Sequence, residues 1–109
     1  MKYVTKEEFE ERYPRKDEGA EITTIYPGNL TVDRNMVIAG IVKGDVAVKS
    51  GVQAIVTGVV KGDLLAEIDS VIFLSGAVEG NMKLNGSAFV TGLVKGQVNG
   101  TEDACLYVP

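Results

Sequence analysis

The 109 residues carry 15 acidic and 11 basic side chains, a net charge of −4, no histidine and one cysteine, Cys105. The missing histidine removes the commonest general base, metal ligand and triad member, and the mixed, slightly acidic balance offers no basic field for nucleic acid or anionic lipid. No apolar run approaches the ~18 residues of a membrane span, Met1-Lys-Tyr-Val-Thr-Lys-Glu-Glu lacks the apolar stretch of a signal peptide, and a lone cysteine suits a reducing compartment, so a cytoplasmic single-domain protein with no cofactor is expected.

Residues 1–21 read as a helix and a linker. Thr5-Lys-Glu-Glu8 has capping-box form, Val4 and Phe9 occupy staple positions, and Pro14 stops the helix near Tyr13. Two turns, Lys6 to Arg12, are too short to stand alone. The expectation is that Val4, Phe9 and Tyr13 cover the open end of the first coil, since terminal coils leave unpaired edges. The charged run after Pro14, Arg15-Lys-Asp-Glu-Gly19, reads as a solvated link.

Residues 22–100 are a repeat. Gly40-Ile-Val-Lys-Gly44-Asp-Val46 returns from Gly58, Gly76 and Gly92, spacings of 18, 18 and 16 residues, and Thr24-Ile-Tyr-Pro-Gly28-Asn-Leu30 is a weaker forerunner. A short fixed period is the sign of a solenoid. From Met36 to Val48, and again over 54–68, 72–86 and 88–100, every even position is apolar or glycine. Period two is a strand with one face inward, whereas a helix would scatter these residues around its cylinder. A coil of about 18 residues makes three sides of roughly six residues, stacked about 4.8 Å apart by parallel pairing. The predicted fold is an all-β, three-sided parallel β-helix of four to five coils with a short N-terminal helix. The inward glycines either leave room for neighbouring Val and Leu or mark corners. Residues 101–109 read as a last partial coil or tail, Ala104-Cys-Leu-Tyr-Val between Thr101-Glu-Asp103 and Pro109.

On the outside, Val37, Ile55, Phe73 and Phe89 form one apolar column. Ala39, Thr57, Ser75 and Thr91 form a small column, and Ile41, Val59, Ala77 and Leu93 a second apolar one. Read as one flat face of several hundred Å², they are near the upper end of what a soluble monomer exposes and suit a protein-interaction face; the plainer reading folds the N-terminal helix over it. The next side, Lys43, Lys61, Glu79 and Lys95 beside Asp45, Asp63, Asn81 and Gln97, reads as solvated.

Catalytic and metal signals are poor. Cys105 has no histidine partner and reads as a small buried hydrophobe. Asp45 and Asp63 would stack about 5 Å apart like paired carboxylates, but their ladder runs on to Asn81 and Gln97 with lysines alongside. No Gly-Lys-Ser/Thr loop, and no dense Gly-Gly-x-Gly-x-Asp repeat for calcium, is present. No catalytic and no metal site is expected.

The Gly-x-Val-x-Gly-[Asp/Asn]-[Val/Leu/Met] units at 40–46, 58–64 and 76–82, with 92–98 differing only at Gln97, resemble those of the bactofilins, bacterial polymer-forming cytoskeletal proteins. The resemblance covers about residues 28–100 and implies a three-sided β-helix that assembles end to end into nucleotide-independent filaments. This chain differs from that pattern at Ile41, Val59, Ala77 and Leu93, often polar in that family, and in its capping-box helix. Two functions follow: a non-catalytic scaffold whose partner is itself, joined through end coils, or a soluble solenoid that presents its apolar face to one protein partner, as an inhibitor or immunity-type protein does. Neither involves nucleic acid or a membrane span.

Overall fold

In a computed structural model, which describes residues 1–15 and 19–109, the chain is nearly all β and winds about five times around one core, as the repeat predicts. A strand β1 (Lys2–Tyr3) and a helix α1 (Lys6–Arg12) precede the coils. The first coil is β2 (Ala20–Ile22), β3 (Ile25–Tyr26) and β4 (Leu30–Val32); the second is β5 (Met36–Ile38), β6 (Ile41–Val42) and β7 (Val46–Val48). The third is β8 (Gln53–Val56), β9 (Val59–Val60) and β10 (Leu64–Ala66); the fourth is β11 (Val71–Leu74), β12 (Ala77–Val78) and β13 (Met82–Leu84). The fifth is β14 (Ser87–Val90), β15 (Leu93–Val94) and β16 (Val98–Gly100), followed by β17 (Cys105–Tyr107). The solvated link expected over 15–19 lies partly on residues 16–18, outside the described residues.

Three parallel sheets form the sides. The first runs β2-β5-β8-β11-β14-β17-β1, the second β3-β6-β9-β12-β15 and the third β4-β7-β10-β13-β16. Register follows the repeat, so Val37, Ile55, Phe73 and Phe89 stack in one column and Val46, Leu64 and Met82 in another. The even-numbered strand residues of these coils point inward: Ile38, Val42, Val46, Val56, Val60, Leu64, Ile72, Val78, Met82 and Leu84 are all buried in one cluster, whereas Ile68, expected inward, lies beyond the end of β10 and is 63% exposed.

The glycines mark corners, and the space they leave is for backbone and polar atoms. A Cβ on Gly58, Gly76 or Gly92 would strike the carbonyl oxygen of the glycine one coil earlier, and on Gly40 that of Thr24. A Cβ on Gly44, Gly62, Gly80 or Gly96 would strike Oδ1 of Asn29, Asp45, Asp63 or Asn81 respectively.

Those side chains close a gap in the ladder. On the second side each coil donates backward: Val59 N–H to Gly40 O at 3.0 Å, Lys61 N–H to Val42 O at 2.8 Å and Gly62 N–H to Gly44 O at 3.1 Å. Two residues later the sense has reversed, and Val46 N–H donates forward to Asp63 O at 2.9 Å. The amide at the reversal finds a side chain instead. Asp45 N–H donates to Asn29 Oδ1 at 2.8 Å, Asp63 N–H to Asp45 Oδ1 at 2.8 Å, Asn81 N–H to Asp63 Oδ1 at 2.7 Å and Gln97 N–H to Asn81 Oδ1 at 2.9 Å. A short side chain with an acceptor oxygen is required there, and a glycine must precede it.

Two substitutions test this account. Asp63→Ala leaves the Asn81 amide without its acceptor and should cost about 1–3 kcal/mol in a urea melt, while Asp63→Asn keeps an Oδ1 and should stay within about 0.5 kcal/mol of wild type. Val78→Asp, placing a carboxylate in the core, should cost several kcal/mol and abolish the β-type circular dichroism spectrum.

Candidate functional site

Four exterior regions could carry function. On the first side, the outward column Val37, Ile55, Phe73 and Phe89, extended by Tyr107 on β17, is covered by the N-terminal segment. Thr5 caps α1 in both directions: its backbone N–H donates to Glu8 Oε1 at 3.2 Å, and Glu8 N–H donates to Thr5 Oγ1 at 3.1 Å. The helix then buries Phe9 completely in a cluster with Ile55, Val71 and Phe73, with Val4, Tyr13, Val37, Phe89 and Tyr107 packed around it. The Phe9 ring meets Phe73 edge-on at 5.7 Å and 89°, Phe89 at 5.4 Å and Tyr13 at 5.0 Å. Phe89 and Tyr107 stack at 4.6 Å. Arg15 sets its guanidinium 5.9 Å from the Phe73 ring centre, and Gln53 donates its side-chain N–H to Pro14 O at 3.0 Å.

This corrects the expected end cap: Val4, Phe9 and Tyr13 lie on a side of the prism, not across the first coil. The reason is area, since a wide aromatic column gives a two-turn helix more apolar contact than a coil edge does. The expected interaction face is also divided. The corner at Gly40, Gly58, Gly76 and Gly92 puts Val37, Ile55, Phe73 and Phe89 on the first side, beneath the helix. Ile41, Val59, Ala77 and Leu93 lie on the second.

The second side keeps its apolar ladder in the open. Ile25 and Leu93, at its two ends, are 57% and 55% exposed, with Ile41, Val59 and Ala77 half-buried between them. Beside it runs the row Lys43, Lys61, Glu79 and Lys95. Lys61 Nζ meets Glu79 Oε2 at 3.0 Å, and this hydrogen bond holds the Glu79 carboxyl below the usual carboxylate range.

The third side bears a shallow groove of ≈ 650 Å³, floored by Thr31, Ala47, Leu65 and Lys83 and walled by Asn29, Asp45, Asp63 and Asn81. Its volume falls in the range of small-molecule sites. The wall, however, is the corner ladder, with an Oδ1 of each residue already engaged by a backbone amide. In the sequence Asp45, Asp63 and Asn81 read only as part of a solvated side. Their invariable position after a glycine, once per coil, was the signal of their structural role. Among the described residues no group of three or more His, Cys, Asp or Glu side chains is arranged to hold a metal. Cys105 is buried and accepts a hydrogen bond from Arg12 Nη1 at 3.6 Å.

The ends of the solenoid form the fourth region, and they differ. At the first coil β2, β3 and β4 stop level, each the outermost described strand of its sheet. Of their eight residues (three, two and three) only Glu21 is charged. Tyr26, in register with buried Val42 and therefore in an inward column, is 37% exposed because no coil covers it. Among the described residues no strand, helix or further charged strand residue guards this edge, and such an edge is a template for strand pairing. No helix of the described residues is long and apolar enough to cross a membrane.

Comparison of the chain with protein-family models, curated protein sequences and solved structures gave no match.

The covered and open columns should respond differently to substitution. Phe9→Ala should cost about 3–5 kcal/mol of helix docking, read as loss of near-ultraviolet dichroism from the aromatic cluster. Phe73→Lys should do the same, whereas Leu93→Lys should stay within about 0.5 kcal/mol of wild type.

Proposed function

We propose that this chain is a non-catalytic, cytoplasmic scaffold subunit of the bactofilin type that self-assembles through the first-coil end of its solenoid. The observation that carries the reading is the first-coil end: three level strand edges, nearly free of charge, around an exposed Tyr26. A second copy meeting this end would pair the edges and cover the tyrosine, which removes apolar surface from water at about 25 cal/mol per Å² and satisfies backbone groups. The Gly-x-Val-x-Gly-Asp/Asn units support the same reading. A chain without histidine, whose clustered carboxylates are engaged as corner acceptors, supports a structural role over a catalytic one.

A second reading rests on the ladder Ile25, Ile41, Val59, Ala77 and Leu93, which α1 leaves open. In it the chain is a binding module that presents this side to one protein partner, as an inhibitor or immunity-type protein does.

Light scattering across a concentration series separates them. Wild type should associate, Tyr26→Lys at the end face should stay monomeric, and Val59→Lys on the ladder should associate as wild type does. A wild type that is monomeric at every concentration removes the scaffold reading. Association lost in Val59→Lys and kept in Tyr26→Lys moves the contact to the ladder.

A further inference from the structure

The two ends of this solenoid are not equivalent. At the far end the second and third sheets stop at β15 and β16, while the first continues through β17 and then β1. The chain's beginning therefore lies beside its last strand. β1 runs parallel to β17, with Lys2 opposite Cys105 and Tyr3 opposite Leu106. Lys2 N–H donates to Ala104 O at 2.7 Å and Val4 N–H to Leu106 O at 3.0 Å. The sense is that of a real coil on this side, where Thr57 N–H donates to Ile38 O and Ser75 N–H to Val56 O, both at 2.9 Å. The N-terminal strand thus takes the place of the next coil.

The rest of the segment secures it. Met1 packs against the core, and a Cβ added to Gly100 would lie 2.7 Å from its sulfur and 3.3 Å from the Cβ of buried Ala104. Phe9 anchors the following helix to the aromatic column. What β1 then offers outward is an edge of only two residues, Lys2 and the 69% exposed Tyr3, carrying one charge and too short to template a full coil side, a form that discourages further pairing. The overhang of β17 and β1 also leaves this end stepped, whereas the first-coil end is level.

Resting on the end-coil assembly reading above, we propose that residues 1–13 are a built-in assembly terminator: they cap the far end, so that copies join only first coil to first coil and stop at a closed pair. One available face pairing with its own copy gives two-fold, self-limiting association, whereas two free ends would propagate. Detaching β1 frees the β17 edge and converts the pair into a growing assembly.

Sedimentation velocity of the full chain over a concentration series tests this. Lys2→Pro deletes the donor to Ala104 O, and Val4→Pro deletes the donor to Leu106 O; neither touches the buried solenoid core, and retention of the β-type dichroism spectrum checks the fold. Lys2→Cys, directly opposite Cys105, allows an oxidised form in which the cap is fastened to β17. Wild type and oxidised Lys2→Cys should stop at the dimer, while at least one folded proline variant should form species beyond the dimer that grow with concentration. Folded proline variants that stop at the same dimer as wild type overturn the terminator and leave end-coil assembly standing. A wild type that itself grows past the dimer does the same. If neither wild type nor any variant associates, end-coil assembly fails, and the terminator with it.

Discussion

A coil of 16 to 18 residues has to turn three corners and still leave its backbone N–H and C=O groups partnered by the coils above and below. At the corner between the second and third sides the direction of donation reverses, and a backbone-only ladder would leave one amide per coil without an acceptor. The Asn29, Asp45, Asp63 and Asn81 side chains supply that acceptor across the gap between coils. The rest of the molecule depends on this closure, because the inward columns stack only if successive corners superimpose. It also accounts for the pairing of glycine with aspartate or asparagine in the repeat: the oxygen that accepts the amide occupies the place of the next coil's Cβ.

The interior and the N-terminal segment are held by different means. Inside, one continuous cluster from Leu30 to Leu106 joins every coil to its neighbours. Outside the first side, a second cluster centred on Phe9 joins α1 to Ile55, Val71 and Phe73, the last through a ring edge. A two-turn helix is unstable alone; its capping box fixes where it starts, and Phe9 fixes where it lies. Because the two clusters are separate, the helix can be loosened without emptying the core. That separation makes the segment suited to a controlling role.

The distribution of edges follows from the same topology. β-Solenoids do not close on themselves, so every chain of this type has two ends to manage. Here the chain doubles back along its own axis, so that its beginning covers its last strand, while the described strands of the first coil stay level and carry one charged residue, Glu21. The open apolar ladder on the second side is one residue wide, narrower than the flat face that three adjacent columns would have made.

The sequence by itself determined the solenoid, its three-sided coil and the identity of the inward columns, from Ile38 and Val42 through to Val94 and Val98. Strand alternation and an 18-residue period are local signals, and stacking simply repeats them. It also determined the start and stop of α1, since the Thr5 and Glu8 bonds and the Pro14 break lie within a few residues of one another. Only the tertiary structure decided that the corner falls between Ala39 and Ile41 and their equivalents, which separates Phe73 from Leu93: period two tells inside from outside but not one side of a prism from the next. It alone decided that Phe9 lies against Phe73 and Phe89, and that Lys2 pairs with Cys105. Those contacts join residues some 64 to 103 positions apart, and an apolar residue on a short helix carries no record of which of several apolar columns it will cover.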